Sequence, residues 1–371
     1  MPIPHPPPDP VTSLADHDAW TDARIPTLAA ARADKHARMA ADPFAFLRGS
    51  YPRWAQRVAV LAPDPPGPVG PAVGDLHVEN FGTWRDGESR LVWGVNDLDE
   101  ADRLPAAHDL LRLATRARLA PWHGTPAEGA DVVTALLDGY AAAVASGGGP
   151  LVLDRPDPPP LVPLLPAVHG HRWWAALAEL PPARDVPDAA LDLLRASLPA
   201  GAGPVDLRAR TAGMGSRDHL RIVAVARVRG APTVREVKAR TPPATHWLHP
   251  PADDAPRVAA ALAQDPRRSP DPVLRITDGW VVRRLAPWSD RIELSDLHRP
   301  ADVGHLLAAM GADAADVHLG GAGAAELARI TAPTGRAWLH AAAERMLEDT
   351  VSDWHTWRDA VTTGRPPRRL R

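Results

Sequence analysis

Cysteine is absent from this 371-residue chain, which excludes disulfides, thiolate metal sites and a cysteine nucleophile. Phenylalanine and tyrosine are scarce, with 3 and 2 copies beside 13 tryptophans. Trp173, Trp174, Trp354 and Trp357 are therefore read as helix-packing anchors, not as a platform for stacking bases. No apolar run approaches the ~20 residues that span a bilayer. The first ten residues are proline-rich and lack the apolar stretch of a signal peptide. A cytoplasmic protein with no membrane partner is the expectation. The net charge of −3 argues neither for nor against nucleic acid; no nucleic-acid partner is expected. No internal repeat is visible.

Hydrophobic residues make up 45% of the chain, enough for a sizeable core, and the length suits two domains or one bilobal unit. Apolar periodicity predicts helices over 28–41, 51–61, 108–119, 130–145, 301–318 and within 324–357, with 173–198 helical in pieces. Runs of apolar and β-branched residues bounded by Gly and Pro predict strands over 90–95, 205–210, 220–228 and 233–239, while 69–73 leads into the Gly74 motif. A hairpin is expected at 273–276 and 279–285, turning at Asp278-Gly279. Residues 1–12 read as a disordered lead and 147–166 as a linker or surface loop. The tail 365–371 reads as a frayed basic end. The fold class is α+β, with a small antiparallel sheet set into a larger helical body. The division expected is a helical lobe with the catalytic and metal-binding loops (1–204), a small β-rich nucleotide-binding lobe (205–295), and C-terminal helices returning to the helical lobe (296–371).

The densest chemistry is Gly74-Asp75-Leu76-His77-Val78-Glu79-Asn80, followed by Val95-Asn96-Asp97-Leu98-Asp99. Such Gly-Asp and Asn-Asp pairs often bond only their own backbone in turns. Together, at this spacing, they suit phosphoryl transfer. Asp75 can accept a hydroxyl proton, while Asn80 and Asp97 supply the hard oxygens that Mg²⁺ prefers. His77 is either a packed loop histidine or a positioning group. Asp99 is either a further metal ligand or a solvated carboxylate. A second constellation is Gly213-Met214-Gly215-Ser216, followed by Lys238 in an apolar strand. Backbone N–H groups at such glycines approach phosphate oxygens closely, and the lysine reaches a phosphate. Asp218, His219 and Arg221 read as surface residues. In the octet Asp42-Pro43-Phe44-Ala45-Phe46-Leu47-Arg48-Gly49 the aromatics read as anchors. Arg48 is a candidate to hold a phosphate or pair with a site carboxylate. Of Arg283 and Arg284, strand alternation turns one inward, and Arg284 is taken as the candidate for the nucleotide.

These motifs, with His108-Asp109-Leu110-Leu111-Arg112, resemble the catalytic region of aminoglycoside phosphotransferase and choline kinase relatives. The resemblance implies Asp75 as base, Asn80 and Asp97 as metal ligands, and Asp109 as a structural carboxylate. With the segment 38–49, the Gly213 loop and Val237-Lys238 added, the chain also resembles the bacterial family named domain of unknown function 2252, over roughly residues 35 to 320. In ordinary kinases the glycine loop and lysine precede the catalytic loop; here they follow it. The resemblance therefore implies a protein kinase-like bilobal fold with circularly permuted connectivity. The partner of Lys238 stays open among Asp253, Asp254 and Glu236. The activity expected is an ATP- and Mg²⁺-dependent phosphotransferase acting on a small hydroxylated acceptor, with nucleotidyl transfer by the same carboxylates as a variant. The alternatives are a nucleotide-binding pseudokinase and a metal-dependent phosphoesterase, which would need His169 and His171 as ligands.

Overall fold

The computed structural model describes residues 8–120, 122, 129–167, 170–251 and 257–364. Asp253, Asp254, His169 and the tail 365–371 lie outside these residues. Thirteen α-helices and ten strands form among those described, confirming the α+β class. The chain opens with α1 (Pro10–Asp22), α2 (Ala29–Met39), α3 (Pro43–Gly49) and α4 (Tyr51–Leu61). Asp9 caps α1 by accepting from the N–H groups of Val11 and Thr12, so residues 10–12, expected to be disordered, are helical. Strands β1 (Val69–Ala72), β2 (Phe81–Arg85), β3 (Leu91–Val95) and β4 (Asp102–Pro105) follow, then α5 (Ala106–Leu119), α6 (Gly129–Ser146) and β5 (Leu151–Val152). Next come α7 (Gly170–Ala178) and α8 (Asp188–Ser197), then β6 (Asp206–Ala209), β7 (Arg221–Val228) and β8 (Ala231–Ala239). Two short helices, α9 (Ala244–Leu248) and α10 (Val258–Leu262), lead to β9 (Arg275–Ile276) and β10 (Trp280–Leu285). The chain finishes on α11 (Pro300–Leu319), α12 (Ala324–Thr331) and α13 (Pro333–Thr363).

The larger part is helical. Leu110, Leu111, Leu113 and Ala114 of α5 are fully buried between α6, α11 and α13. Helices α6 and α11 touch backbone to backbone: a Cβ on Gly139 would lie 1.9 Å from the Ala308 carbonyl oxygen, and one on Gly311 2.0 Å from that of Leu136. The small sheet β2–β3–β5 rests on α11, whose Asp313 accepts the Val95 N–H. Residues 151–152, expected in a loop, form its edge strand, and Leu153 and Leu161 enter the main core.

The second part is a five-stranded antiparallel sheet in the order β6–β7–β8–β10–β9. Register pairs Lys238 with Arg221 and Val281, and Glu236 with Val223 and Arg283. Those residues share one face. The other face carries Ile222, Ala224, Val237 and Val282 under α8. On the first face, Val223, Val234 and Leu285 lie under Trp173, Trp174 and Leu177 of α7. Helices α7 and α8 thus belong with the sheet, so the division expected at 204 falls inside this unit. Trp354 and Trp357 of α13 are helix anchors against Met39 and Phe46. No helix among the described residues is long and apolar enough to cross a membrane.

Candidate functional site

The Asp75 loop joins β1 to β2, and its alternation of side chains places it. Leu76 and Val78 are buried in the core, which turns Asp75, His77 and Glu79 away from it. Gly74 has φ +80°, and a Cβ there would lie 2.3 Å from the Glu100 carbonyl oxygen, so only glycine fits. The loop is gripped from below by Asp109, fully buried on α5, which accepts from Val73 N–H (2.7 Å) and Gly74 N–H (2.8 Å). The carboxylate thus serves the loop's backbone and not the start of its own helix. His318 Nε2 lies 3.1 Å from Asp109, and His318 Nδ1 lies 2.9 Å from the Tyr140 hydroxyl. Helices α5, α6 and α11 are thereby tied to the loop.

Asp75 Oδ1 accepts two hydrogen bonds from Arg112, at 3.0 and 2.7 Å. Burial pushes its carboxyl up to about 6 against the pull of Arg112, and Asp97 adds to the rise. Oδ2 faces the neighbouring His77 Nε2 at 3.9 Å. Glu79 N–H donates to His77 Nδ1 (3.2 Å), which puts the imidazole proton on Nε2. Burial, with Arg48, Arg116 and Arg112 nearby, holds His77 well below its ordinary value. The ring is neutral, so its approach to Asp75 is not an ion pair. Arg48, with Arg116, pairs with Glu79, the site-carboxylate partnership among the two expected for it.

Asn80 donates through Nδ2 to the Asp75 carbonyl (2.8 Å), which leaves its amide oxygen facing the other way. Asp97 stands at the end of β3. Burial alone would raise its carboxyl, but Lys238, with Arg283 and Arg221, holds it down to about 2. Lys238 Nζ lies 3.7 Å from Asp97 Oδ1 and bonds Asp99 Oδ2 directly. Asp99, expected as a metal ligand or solvated carboxylate, is thus the acidic partner of Lys238. Glu236 shares the lysine's face but is occupied by arginines. Arg284 alternates to the opposite face, where its Nη2 meets Asp271 at 3.2 Å, and still lines the cleft; its neighbour Arg283 is the one on the Lys238 face.

The loop 213–216 caps the arrangement. A Cβ on Gly215 would stand 4.0 Å from Asp75 Oδ2 and 3.6 Å from the Arg48 carbonyl oxygen. Gly213 has φ +77°, and Ser216 Oγ accepts from Arg221 (2.7 Å). The loop is anchored at its far end by Leu28 N–H donating to the Asp218 carbonyl (2.8 Å) and by Arg32 donating to the Asp218 carboxylate (2.8 Å). Asp218 and Arg221, read as surface residues, are 1% and 4% exposed; Arg32 and Lys35 of α2 meet Asp218, and Arg221 lies against Ser216 and Glu236. His219 lies in the same covered stretch, its Nδ1 3.0 Å from the Ala239 carbonyl oxygen.

Asp75, Asn80, Asp97, Asp99, Lys238 and the glycine loop line one cleft of about 560 Å³ between the sheet and the helical body. Among the described residues no three His, Asp or Glu side chains converge as a ready-made metal cage. The Asn80 amide oxygen and Asp97 carboxylate are two oxygen donors, a set that suits Mg²⁺, which keeps water and phosphate in its remaining positions. Sequence reasoning missed Arg112, Glu79, and the gathering of Arg210 and Arg221 on Glu236; Arg283 and Glu236 were weighed, but not as partners of each other. Charged residues at alternate positions of apolar strands, and Arg112 and Arg116 inside an apolar helix, were the available signal.

Residues 24–154 match a family model described as "Uncharacterized protein conserved in bacteria (DUF2252)". That stretch holds the Asp75 loop, Asp97, Asp99 and Asp109, and ends before the sheet that carries Gly213 and Lys238. No curated protein and no solved structure matches the chain.

Proposed function

We propose that this protein is an ATP- and Mg²⁺-dependent phosphotransferase with a kinase-like, circularly permuted bilobal fold, acting on a hydroxylated small molecule. The observation that carries this reading is the meeting of Lys238 with Asp97 and Asp99 across a cleft that also holds Asp75 and Asn80. Residues 139 apart in the chain converge there, a cation in contact with Asp99 and 3.7 Å from Asp97. The antiparallel sheet, with a glycine loop between its first two strands and a lysine on its third, supports the same reading.

Asp75 has one oxygen held by Arg112 and the other free towards the cleft. It is placed to accept the acceptor's proton as the oxygen attacks phosphorus. Asn80 and Asp97 would hold Mg²⁺, which neutralises phosphate charge when bound. Asp99 orients Lys238, and Lys238 with the Gly213–Gly215 backbone would hold phosphates. The phosphoesterase alternative finds no support: His171 sits on α7 beyond the cleft, and no cluster of three ligands exists among the described residues.

The test is a panel of hydroxylated small molecules incubated with Mg²⁺ and ATP labelled at its α- and γ-phosphorus. Label should pass to an acceptor with the wild-type protein and stop with Asp75→Asn. Calorimetry should show nucleotide affinity within about threefold of wild type in that variant. Transfer at the wild-type rate by Asp75→Asn refutes the role.

A further inference from the structure

The roof of the cleft is charged where a nucleotide base would need an apolar shelf. Glu236 is 0% exposed on the cleft face of β8. It is met by Arg210 Nη1 (2.5 Å), Arg283 Nη2 (2.6 Å) and Arg221 Nη1 (3.4 Å). Three guanidinium groups share one carboxylate, and with Lys238, Asp97 and Asp99 counted the cluster keeps one positive charge in excess. Beside them Lys238 faces Asp97 and Asp99. The three arginines line the cleft, and Glu236 lies behind them. Arg221 is 4% exposed, and its Nε has no hydrogen-bond partner among the described residues. A buried donor without a partner costs free energy unless an anion or water completes it. Further along the same face, the apolar residues Val223, Val234 and Leu285 are already covered by Trp173 and Trp174. Among the strand residues of this sheet that line the cleft, Leu285 alone is apolar, beside Arg221, Lys238, Arg283 and Arg284.

We propose that Arg210, Arg221 and Arg283, mounted on Glu236, form the seat of an oligophosphate chain, so that ATP enters with its β- and γ-phosphates innermost and presents its α-phosphorus to Asp75. A base there could stack on a guanidinium or accept from it, but it would leave the positive charge of the group unanswered. Phosphate oxygens match their fork geometry and their excess charge. This inference rests on the nucleotide reading above and selects the phosphorus attacked. The acceptor oxygen then bonds to the α-phosphorus, and the bond from that phosphorus to the α–β bridging oxygen breaks. Pyrophosphate leaves with the electron pair, and the hydroxyl proton passes to Asp75. The product is a nucleotidylated acceptor. An inorganic polyphosphate offers the same oligophosphate chemistry without the base.

The experiment is a set of calorimetric titrations of the full chain with Mg·ATP, inorganic tripolyphosphate and adenosine, in wild type, Arg283→Gln and Arg210→Gln. Arg210 and Arg283 are each one-third exposed, so both variants are expected to fold. Tripolyphosphate should displace ATP and adenosine should not, and each substitution should weaken ATP and tripolyphosphate alike by about tenfold. Slow hydrolysis of ATP should release AMP and pyrophosphate. Wild-type affinity for both phosphates in the arginine variants, or displacement of ATP by adenosine, overturns the seat. ADP and phosphate as products overturn the α-phosphorus assignment. Binding of tripolyphosphate without ATP keeps the seat, identifies a polyphosphate ligand, and sinks the nucleotide reading instead.

Discussion

Asp75 is pulled two ways by its surroundings. Burial and the nearby Asp97 favour its proton, while Arg112 favours the charge; the result is a carboxyl near 6. A base with that value is ionised at neutral pH yet basic enough to take a proton. As pH falls through about 6 the base form is lost, so transfer should rise from pH 5 and level off above about 7. A pH profile of kcat/KM that stays flat from 5 to 8 would remove Asp75 from the role. Glu100 shows the same effect without a countering arginine in contact. Burial pushes it up to about 8, and Asp75 and Asp99 add to the rise, while the Ala244 N–H that donates to its Oε2 opposes it. Its folded value lies above the ordinary one for glutamate, so the fold prefers the protonated acid. Stability tied to it is complete below about 4.5 and is lost as pH rises through about 8. Glu100→Gln, which keeps an acceptor for Ala244, should flatten the fall in Tm between pH 6 and 9. A fall as steep as that of wild type would count against the assignment.

Among the elements, the α6–α11 pair depends most on single positions. Gly139 and Gly311 let two backbones meet with no side chain between them, and α11 in turn supplies His318 and Asp313 to the loops of the site. Gly311→Ala puts a methyl group 2.0 Å from the Leu136 carbonyl oxygen and should cost about 3 kcal/mol or more, measured by denaturant unfolding. A loss below about 1 kcal/mol would show that the helices slide apart freely. Most of these elements were legible beforehand. Helices α5, α6 and α11 and strands β7, β8 and β10 stand within a few residues of the pattern-based ranges. Strand β2 was not, because Gly82 and Thr83 interrupt its apolar run and because the neighbouring polar motif reads as a loop. Helices α7 and α8 were seen as helices but placed with the wrong body. Their apolar residues say that they cover something, not what they cover.

At the scale of the whole molecule, the candidate site was legible where its residues are local in sequence. Asp75, Asn80 and Asp97 stand together on adjoining loops, and the glycine loop closes over them. Lys238 was named as well, but its partner was not: Asp99 lies 139 positions away, and no local pattern records such a pairing. The gathering of arginines on Glu236 escaped for a related reason, since a charged residue in a strand reads as solvent-facing until a second layer is known to cover it. If the cleft holds nucleotide, a hundredfold excess of Mg·ATP over its Kd should stabilise the fold by about 2.7 kcal/mol. That would appear as a rise in Tm, and Asp97→Asn should abolish the magnesium-dependent part. No shift at saturating Mg·ATP would leave the cleft without its proposed occupant.

The seam between sheet and helical body is uneven. At the β9 edge Ile276 and Val281 join the main apolar core, whereas Lys238 and Arg240 reach Asp99 by charge and hydrogen bond. The second kind of contact is buried, so dissolved salt screens it little, but a competing anion that binds Lys238 can replace it. The two bodies are therefore built like a door whose hinge is greasy and whose latch is ionic. An arriving polyanion competes with Asp99 for that latch, and so can swing the door ajar without unfolding either half.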